Sequence, residues 1–226
     1  MKGLPEPIEV FELHDPDRSC EPPKDAPKAY RVLAHEGAWL PVVQIRHGLP
    51  AERDSLVGRD RELHSLAKLF DEGARLVTVL GIGGIGKTSL ALAYARRWLG
   101  DYEGGAWFCD LAAATTPDGL FHAVANGLDV QLGKGDPADQ LAAVIQARGT
   151  CLLIFDNFEQ LAPEASAMLD RWLNRAPALR ALVTSRAVLG LSGERAFWLD
   201  PLGPHDARRL FERLRSGRGG WCDGAF

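Results

Sequence analysis

The chain has 226 residues, of which 46% are hydrophobic and 25% are charged, and its formal net charge is −4 at pH 7. The length fits one α/β domain with a partial flank, and the weakly acidic balance predicts no direct contact with nucleic acid. No apolar run approaches the ~20 residues of a membrane span and the N-terminus has no signal-peptide pattern, so we expect a cytoplasmic protein.

The first 50 residues divide into two segments. Residues 1–13 alternate apolar and charged side chains, which predicts one short strand. Residues 14–50 start with a proline-rich polar run that buries too little to fold alone, and they continue without a clear period. We therefore interpret residues 14–50 as a linker and approach segment.

The pattern becomes regular in residues 51–216, where we expect the folded domain, and the tail of residues 217–226 has no pattern. The predicted strands are residues 76–80, 106–109, 151–155, 181–184 and 196–199. The predicted helices are residues 59–72, 87–99, 117–128, 137–148, 163–174 and 204–215. Short apolar strands alternating with helices predict a three-layer α/β fold, with a parallel sheet covered by helices on both faces.

Two finer expectations concern the interior of this domain. The four cysteines have no metal-ligand spacing. Cys109 and Cys151 fall in predicted buried strands, where we expect reduced thiols that pack as small apolar side chains. In the last helix the apolar side chains recur with the helical period and are expected to face the core: Ala207, Leu210, Phe211 and Leu214.

Residues 81–88 fit the phosphate-loop pattern G-x-x-x-x-G-K-[ST] at every required position. Glycines let the backbone N–H groups turn toward a phosphate without a Cβ in the way. Lys87 supplies a cation for the β and γ phosphates, and the Thr88 hydroxyl can ligate Mg²⁺. An apolar strand before the loop and a helix after it are the context that the motif needs. We therefore predict that ATP or ADP binds here through these residues: Gly81, Gly83, Gly84, Ile85, Gly86, Lys87, Thr88 and Ser89.

A second apolar run ends in Asp156. In phosphate-loop enzymes such a strand delivers the aspartate that holds Mg²⁺, so Thr88 and Asp156 are the predicted metal ligands. Along the chain, one predicted strand lies between the phosphate loop and the strand that ends in Asp156. In the sheet, we expect the Asp156 strand to lie beside the phosphate-loop strand. A strand-ending aspartate that only caps a turn is the alternative.

Three residues near these strand ends bear on hydrolysis. Asn157 stands where many hydrolytic relatives have a second acid, which leaves Glu159 as the candidate for activating water. Arg186 follows another predicted strand and is a candidate sensor of the γ-phosphate. The alternatives are a plain loop carboxylate for Glu159 and a surface arginine for Arg186. Lys87, Asp156, Glu159 and Arg186 are thus the candidate catalytic residues.

Five segments together carry a family resemblance: LVGRDREL at 56–63, GIGGIGKTSLA at 81–91, LLIFDNFEQL at 152–161, LVTSR at 182–186 and LDPLGPHDARRLF at 199–211. They resemble the STAND class of signalling ATPases, and within it the bacterial regulators related to NB-ARC and AP-ATPase domains. The resemblance implies that Val57, Gly58 and Arg59 lie against the adenine and ribose, with Pro201 close to the base. It also implies a slow switch, in which ADP holds a closed state and ATP permits opening and assembly.

The sequence KGLPEPIEVFEL at 2–13 resembles the last strand of a class III adenylate/guanylate cyclase catalytic domain. This resemblance implies that the chain is an internal slice of a longer regulator, with regulatory domains or self-association partners outside it. It implies no cyclase activity, because the metal-binding aspartates of a cyclase would lie upstream. An arbitrary edge strand is the alternative.

Two functions stay open at this point. The first is a nucleotide-switched signalling ATPase, and the second is a nucleotide-binding scaffold without meaningful turnover, which Asn157 favours. A GTPase is excluded, because the K-x-D sequence that starts at Lys134 precedes the Asp156 strand and Gly133 stands where Asn or Thr would be. Measured turnover separates the first two functions.

Overall fold

The computed structural model describes residues 32–35, 38–41, 47–51, 56–160 and 163–217. The strand predicted in residues 1–13, and with it the cyclase resemblance, lies outside the described residues. The predicted tail also lies outside them, except for Gly217, the last residue of a helix.

The helices are α1 Asp60–Asp71, α2 Lys87–Arg97, α3 Pro117–Gly127, α4 Pro137–Ala147, α5 Pro163–Arg175 and α6 Pro204–Gly217. The strands are β1 Val32–His35, β2 Ala38–Pro41, β3 His47–Gly48, β4 Leu76–Leu80, β5 Ala106–Asp110, β6 Leu152–Asp156, β7 Arg180–Ser185 and β8 Glu194–Trp198. Two short 3-10 helices lie at Leu99–Asp101, after α2, and at Phe158–Gln160, after β6. Every helix and strand predicted in residues 51–216 is present, with bounds that differ by no more than two residues.

Local sequence explains where two of the helices begin. The side chains of Thr116 and Asp136 accept hydrogen bonds from backbone N–H groups in the first turns of α3 and α4, at 3.1 and 2.9 Å. A proline follows each cap at the first helical position, where its missing N–H costs nothing. Asp136, the acid of the K-x-D sequence, is therefore a helix cap.

Six strands form one sheet in the order β3-β5-β6-β7-β4-β8, and every neighbouring pair is parallel. The predicted fold class is confirmed: helices cover both faces of the sheet. The approach segment contains more structure than we expected. β1 and β2 form an antiparallel pair, and β3 joins the edge of the main sheet before residue 51. A strand of two residues is too short to show a period, so the sequence pattern could not reveal it.

The position of the Asp156 strand corrects one prediction. We expected β6 to lie beside the phosphate-loop strand β4, but β7 pairs with both and lies between them. After β6 the chain crosses through α5 and returns into the gap beside β4. The spacing of motifs along a chain does not specify the order of strands in a sheet, so the prediction was wrong.

The core consists of two clusters of buried side chains, one on each face of the sheet. Alternate residues of β6 contribute to opposite clusters: Leu153 and Phe155 pack with α3, α4 and α5, and Leu152 and Ile154 pack with α1 and α2. Both Cys109 and Cys151 are buried free thiols, as expected. Burial raises their pKa values to about 12 and about 11.

The apolar face of α6 corrects a second prediction. Phe211 and Leu214, expected to face the core, are 65% and 50% exposed. Ala207 is also exposed and Leu210 is only half-buried. Periodicity identified the apolar face of the helix but not what covers it. The helix follows the edge strand β8, where the Trp198 side chain is exposed as well.

The helices in residues 56–160 and 163–217 are short, with at most 14 residues each. None of them has both the length and the apolar character needed to cross a bilayer.

Candidate functional site

The phosphate loop follows β4, whose five residues are all buried. Gly84 and Gly86 adopt left-handed backbone conformations, with φ of 76° and 98°. A Cβ added at either position would meet no described atom within 4 Å, so the backbone conformation, not crowding, requires glycine here. The loop therefore has the open, glycine-dependent form that a phosphate cradle needs.

Lys87 begins α2 immediately after the loop. Its Nζ donates to the carbonyl oxygens of Gly81 at 2.8 Å and Ile82 at 3.1 Å, which hold the ammonium group over the loop. The first turn of α2 carries no acidic side chain and no side-chain cap. Its N–H groups and the positive end of the helix dipole thus face the loop together with Lys87.

The structure brings the two predicted metal ligands together. Thr88 Oγ1 donates a 2.7 Å hydrogen bond to Asp156 Oδ1. Thr184 Oγ1 donates to the same oxygen at 2.6 Å, and Asn157 Nδ2 donates to Oδ2 at 3.0 Å. The two Asp156 oxygens therefore accept three hydrogen bonds, from a residue of α2, a residue of β7 and the residue that directly follows β6.

Asp156 is buried, and this burial raises the pKa of its carboxyl group. The hydrogen bonds from Thr184 and Thr88 act in the opposite direction, and the nearby charges of Asp110 and Glu159 raise the pKa further. A cation at this carboxylate would relieve the cost of burying its charge. The electrostatics of the site therefore favour a metal ion beside Asp156.

Thr184 is a functional candidate that sequence reasoning did not single out, although it lies in the LVTSR segment. Its hydroxyl accepts from the Asn157 N–H at 3.0 Å while donating to Asp156. The signal was a polar residue near the end of an apolar strand. That signal is weak alone, because a threonine is common in strands for its packing.

Glu159 and Arg186 also lie together. Arg186 Nε is 3.0 Å from Glu159 Oε1, and the Arg186 side chain is 64% exposed while that of Glu159 is 17% exposed. A Cβ added at Gly83 would lie 3.5 Å from Arg186 Nη2, so the guanidinium group reaches the phosphate loop. Both candidates thus lie beside the loop and are joined to each other.

The segment implied to lie against adenine and ribose has a buried anchor. Arg59 donates to Glu62 Oε1 at 2.6 Å, to the Asp200 carbonyl oxygen at 2.8 Å and to the Ile85 carbonyl oxygen at 3.4 Å. It therefore joins α1, the phosphate loop and the segment that leads into α6. Its guanidinium group is engaged by protein atoms, a role that sequence reasoning did not foresee.

The other residues of the predicted base site surround this anchor. The Gly58 φ is 69°, and a Cβ there would lie 2.4 Å from Asp206 Cβ, so the chain passes α6 too closely for any side chain. Val57 is half-buried and Pro201 is exposed; Ser89, predicted as part of the phosphate loop, is exposed as well. The hydrogen bond from Arg59 to Asp200 brings residues 57–59 next to Pro201.

Comparison with known proteins gives a family model and several relatives that this chain is similar to. Residues 70–189, more than half of the chain, match the family model of the AAA domain. An uncharacterized protein of Mycobacterium tuberculosis is 34% identical over 181 residues, which cover 77% of this chain and 46% of that protein. Regulatory protein AfsR of Streptomyces griseus is 29% identical over 185 residues, which cover 74% of this chain and 18% of AfsR. The chain thus spans about half the length, or less, of these relatives.

Solved structures share the fold. Cdc6p from Pyrobaculum aerophilum has a TM-score of 0.56 at 16% identity, covering 75% of this chain and 52% of that chain. A Signal Transduction ATPase with Numerous Domains (STAND) protein with a tetratricopeptide repeat sensor, from Pyrococcus horikoshii, has a TM-score of 0.51 at 21% identity, covering 77% of this chain and 28% of that chain. At these identities the likeness concerns the fold alone.

Proposed function

The chain belongs to the AAA domain family of P-loop ATPases, and we propose that it binds Mg·ATP and ADP at the phosphate loop and acts as a slow nucleotide switch. The observation that carries the proposal is the 2.7 Å hydrogen bond from Thr88 to Asp156. It places a hydroxyl and a carboxylate oxygen side by side at the end of the loop. A Mg²⁺ ion that bridges nucleotide phosphates takes oxygen ligands of these two kinds.

The loop itself fits the phosphates. The space beside Gly84 and Gly86 leaves the backbone N–H groups accessible to an anion. Lys87 Nζ is held only by the carbonyl oxygens of Gly81 and Ile82, among the contacts described. Its flexible side chain can exchange these neutral partners for the charged β and γ phosphates, which form stronger hydrogen bonds with an ammonium group.

The base would lie between the two segments that Arg59 ties together. Arg59 holds residues 57–59 against Asp200 through a 2.8 Å hydrogen bond, and Pro201 follows directly. We assign Val57, Gly58 and Pro201 to the adenine side of the site on this basis. In this assignment Arg59 positions both segments through its protein contacts.

Slow turnover is the second part of the proposal. The Asn157 amide is directed at Asp156 Oδ2, and Glu159 is paired with Arg186. In this arrangement the Asn157 amide cannot act as a base, and the Glu159 carboxylate can orient a water molecule only after its ion pair with Arg186 is broken. The same contacts support the second candidate function, a nucleotide-binding scaffold without meaningful hydrolysis. Phosphate release well below the enzyme median of ~10 s⁻¹, yet abolished in Lys87→Ala, would favour the switch over the scaffold.

The wider role concerns regulation. AfsR is a regulatory protein, and the Pyrococcus structure is a signal transduction ATPase. The five sequence segments that resemble the STAND class, together with the match to AfsR, support assigning the chain to that class, as the nucleotide-binding module of a bacterial multidomain regulator. Its partners would then be regulatory domains of the longer protein or further copies of the same module.

Titration calorimetry with Mg·ATP tests the central claim. Lys87→Ala should weaken binding at least tenfold, about 1.4 kcal/mol, because the charge facing the β and γ phosphates is lost. Lys68→Ala is the matched control, since Lys68 is an exposed lysine on α1 whose described partner is Glu72 at 3.8 Å. Equal affinities for the Lys87→Ala and Lys68→Ala proteins would show that the phosphate loop is not the binding site.

A further inference from the structure

The ion pair between Arg186 and Glu159 links the two sides of the phosphate site. Glu159 lies in the 3-10 helix Phe158–Gln160, directly after β6, and the buried side chain of Phe158 holds this turn in the core. Arg186 is the first residue after β7. Arg186 Nε lies 3.0 Å from Glu159 Oε1. The pair thus connects the ends of two neighbouring strands.

The two partners differ in freedom. Glu159 is 17% exposed, and its second oxygen, Oε2, is buried without a hydrogen-bond partner among the described residues. Arg186 is 64% exposed and is held on a long flexible stem. The carboxylate is therefore fixed and depends on Arg186 for its charge compensation, while the guanidinium group can move.

The guanidinium group also faces the phosphate loop. Its Nη2 atom lies 3.5 Å from the position of a Cβ added at Gly83. A guanidinium group has five N–H donors in a planar fork, and Glu159 accepts only through Oε1. A phosphate at the end of the loop would bring a second, more highly charged acceptor within reach of the same side chain.

We propose that Glu159 and the terminal phosphate of ATP compete for Arg186, so that Glu159 sets the preference of the site for triphosphate over diphosphate. This inference rests on the proposed function. With ADP the ion pair persists, because no γ-phosphate reaches Arg186. With ATP the guanidinium group turns to the phosphate, and the Glu159 carboxylate is released beside Asp156, where it is free to accept a hydrogen bond from water. In the wild-type chain, ATP binding must supply the free energy that breaks the ion pair, and this cost lowers the affinity for ATP. ADP binding leaves the pair intact, so the affinity for ADP carries no such cost.

Calorimetric titration of the full chain with Mg·ATP and with Mg·ADP measures this competition. Glu159→Gln keeps the shape of the side chain and removes its charge, so it should raise the affinity for ATP by ~3- to 10-fold without changing that for ADP. Arg186→Met removes the shared partner and should lower the affinity for ATP alone. Asp118→Asn, an exposed acid in the first turn of α3, is the control for a change in net charge.

The double variant separates competition from general repulsion between Glu159 and the nucleotide. In the Arg186→Met background, Glu159→Gln should have no effect on the ATP-to-ADP affinity ratio, because there is no arginine left to release. Repulsion alone would raise the affinities in both backgrounds. A Glu159→Gln effect that persists without Arg186 would therefore overturn the proposal.

Other outcomes are equally decisive. An unchanged ATP-to-ADP ratio in Glu159→Gln, or a weaker affinity for ATP, would show that Glu159 does not compete. If Glu159→Gln fails to fold, Arg186→Met still decides, since its exposed side chain lies outside the core and an unchanged ratio would overturn the proposal. A wild-type chain that binds neither nucleotide would instead contradict the proposed function itself.

Discussion

Thr88 and Asp156 meet through a 2.7 Å hydrogen bond, although the strand β7 separates the phosphate-loop strand from the strand that ends in Asp156. The intervening strand contributes to the contact, because its Thr184 donates to the same carboxylate oxygen at 2.6 Å. The proposed metal site therefore depends on α2, β6 and β7 together.

Asp156→Asn should abolish the Mg²⁺ requirement for tight ATP binding. The substitution keeps the size of the side chain but removes the charge that would anchor the metal on the protein side. Calorimetry with ATP in the presence of Mg²⁺ and of a chelator measures the effect. Asp118→Asn is the control for the change in charge, since Asp118 is exposed and lies in the first turn of α3. A variant that retained the wild-type magnesium response would show that Asp156 only ends a strand.

The stability of the nucleotide-free chain should depend on pH through Asp156. Burial raises the pKa of this carboxyl group, so the folded chain holds the proton more tightly than the unfolded chain. The cost of the buried charge is therefore fully present above the raised pKa and is relieved as the pH falls through it toward the ordinary value of about 3.9.

Urea denaturation over a pH series detects this titration. Asp156→Asn carries no charge, so it should be more stable than the wild type at pH 7, and the difference in unfolding free energy should shrink as the pH falls. Groups that titrate in both proteins cancel in the comparison. If the difference in unfolding free energy between the two proteins did not vary with pH, the pKa of Asp156 would not be raised in the folded chain.

Arg59→Ala should lower the free energy of unfolding by about 2 kcal/mol. It removes a buried guanidinium group that bonds Glu62 and two backbone carbonyl oxygens, and partly exposed Glu62 keeps the loss below the 3–5 kcal/mol of a fully buried pair. Arg61→Ala, which removes an exposed arginine two residues along α1, should change stability by less than about 0.5 kcal/mol. Urea denaturation of both variants compares them, and equal losses would exclude an anchoring role for Arg59.

Gly58→Ala should destabilise the chain more than Gly73→Ala does. Both glycines have positive φ, at 69° and 94°, so both substitutions cost about 1 kcal/mol of backbone strain. A Cβ at Gly58 would in addition collide with Asp206 of α6 at 2.4 Å, whereas one at Gly73 meets no described atom within 4 Å.

The difference between the two glycine variants therefore isolates the contact with α6. Thermal unfolding of the two variants measures how much stability the contact with α6 contributes. Hydrogen exchange locates the effect, with faster exchange expected in the first turns of α6 in Gly58→Ala alone. If both variants lost equal stability, α6 would not depend on this close approach.

Local features of the fold and site could be predicted from the sequence. Residues 81–88 and Asp156 were found because the phosphate-loop motif needs fixed residue types at fixed spacing, and the structure places Thr88 against Asp156. The starts of α3 and α4 were found because proline favours the first helical position. These signals act over a few residues, so one sequence contains all the information that they need.

Long-range features could not be predicted in this way. The insertion of β7 beside β4 depends on how a crossover packs, and sequence spacing does not record that. The hydrogen bond from Arg59 to Asp200 joins residues 141 positions apart, and a charged residue before a helix gives no sign of such burial. The exposed apolar face of α6 looks, in sequence, like any core-facing helix.

The position of β7 between two partners has a consequence for register. Thr184 lies in this strand and Arg186 just beyond it, so one alignment against β6 places both the Asp156 contact and the Glu159 contact. A slip of one residue would shift the strand by about 3.3 Å and exchange its two faces, and both contacts would fail together. A substitution at the far end of β7, remote from the phosphate loop, can therefore disable metal and phosphate recognition at once by loosening the alignment of this one strand.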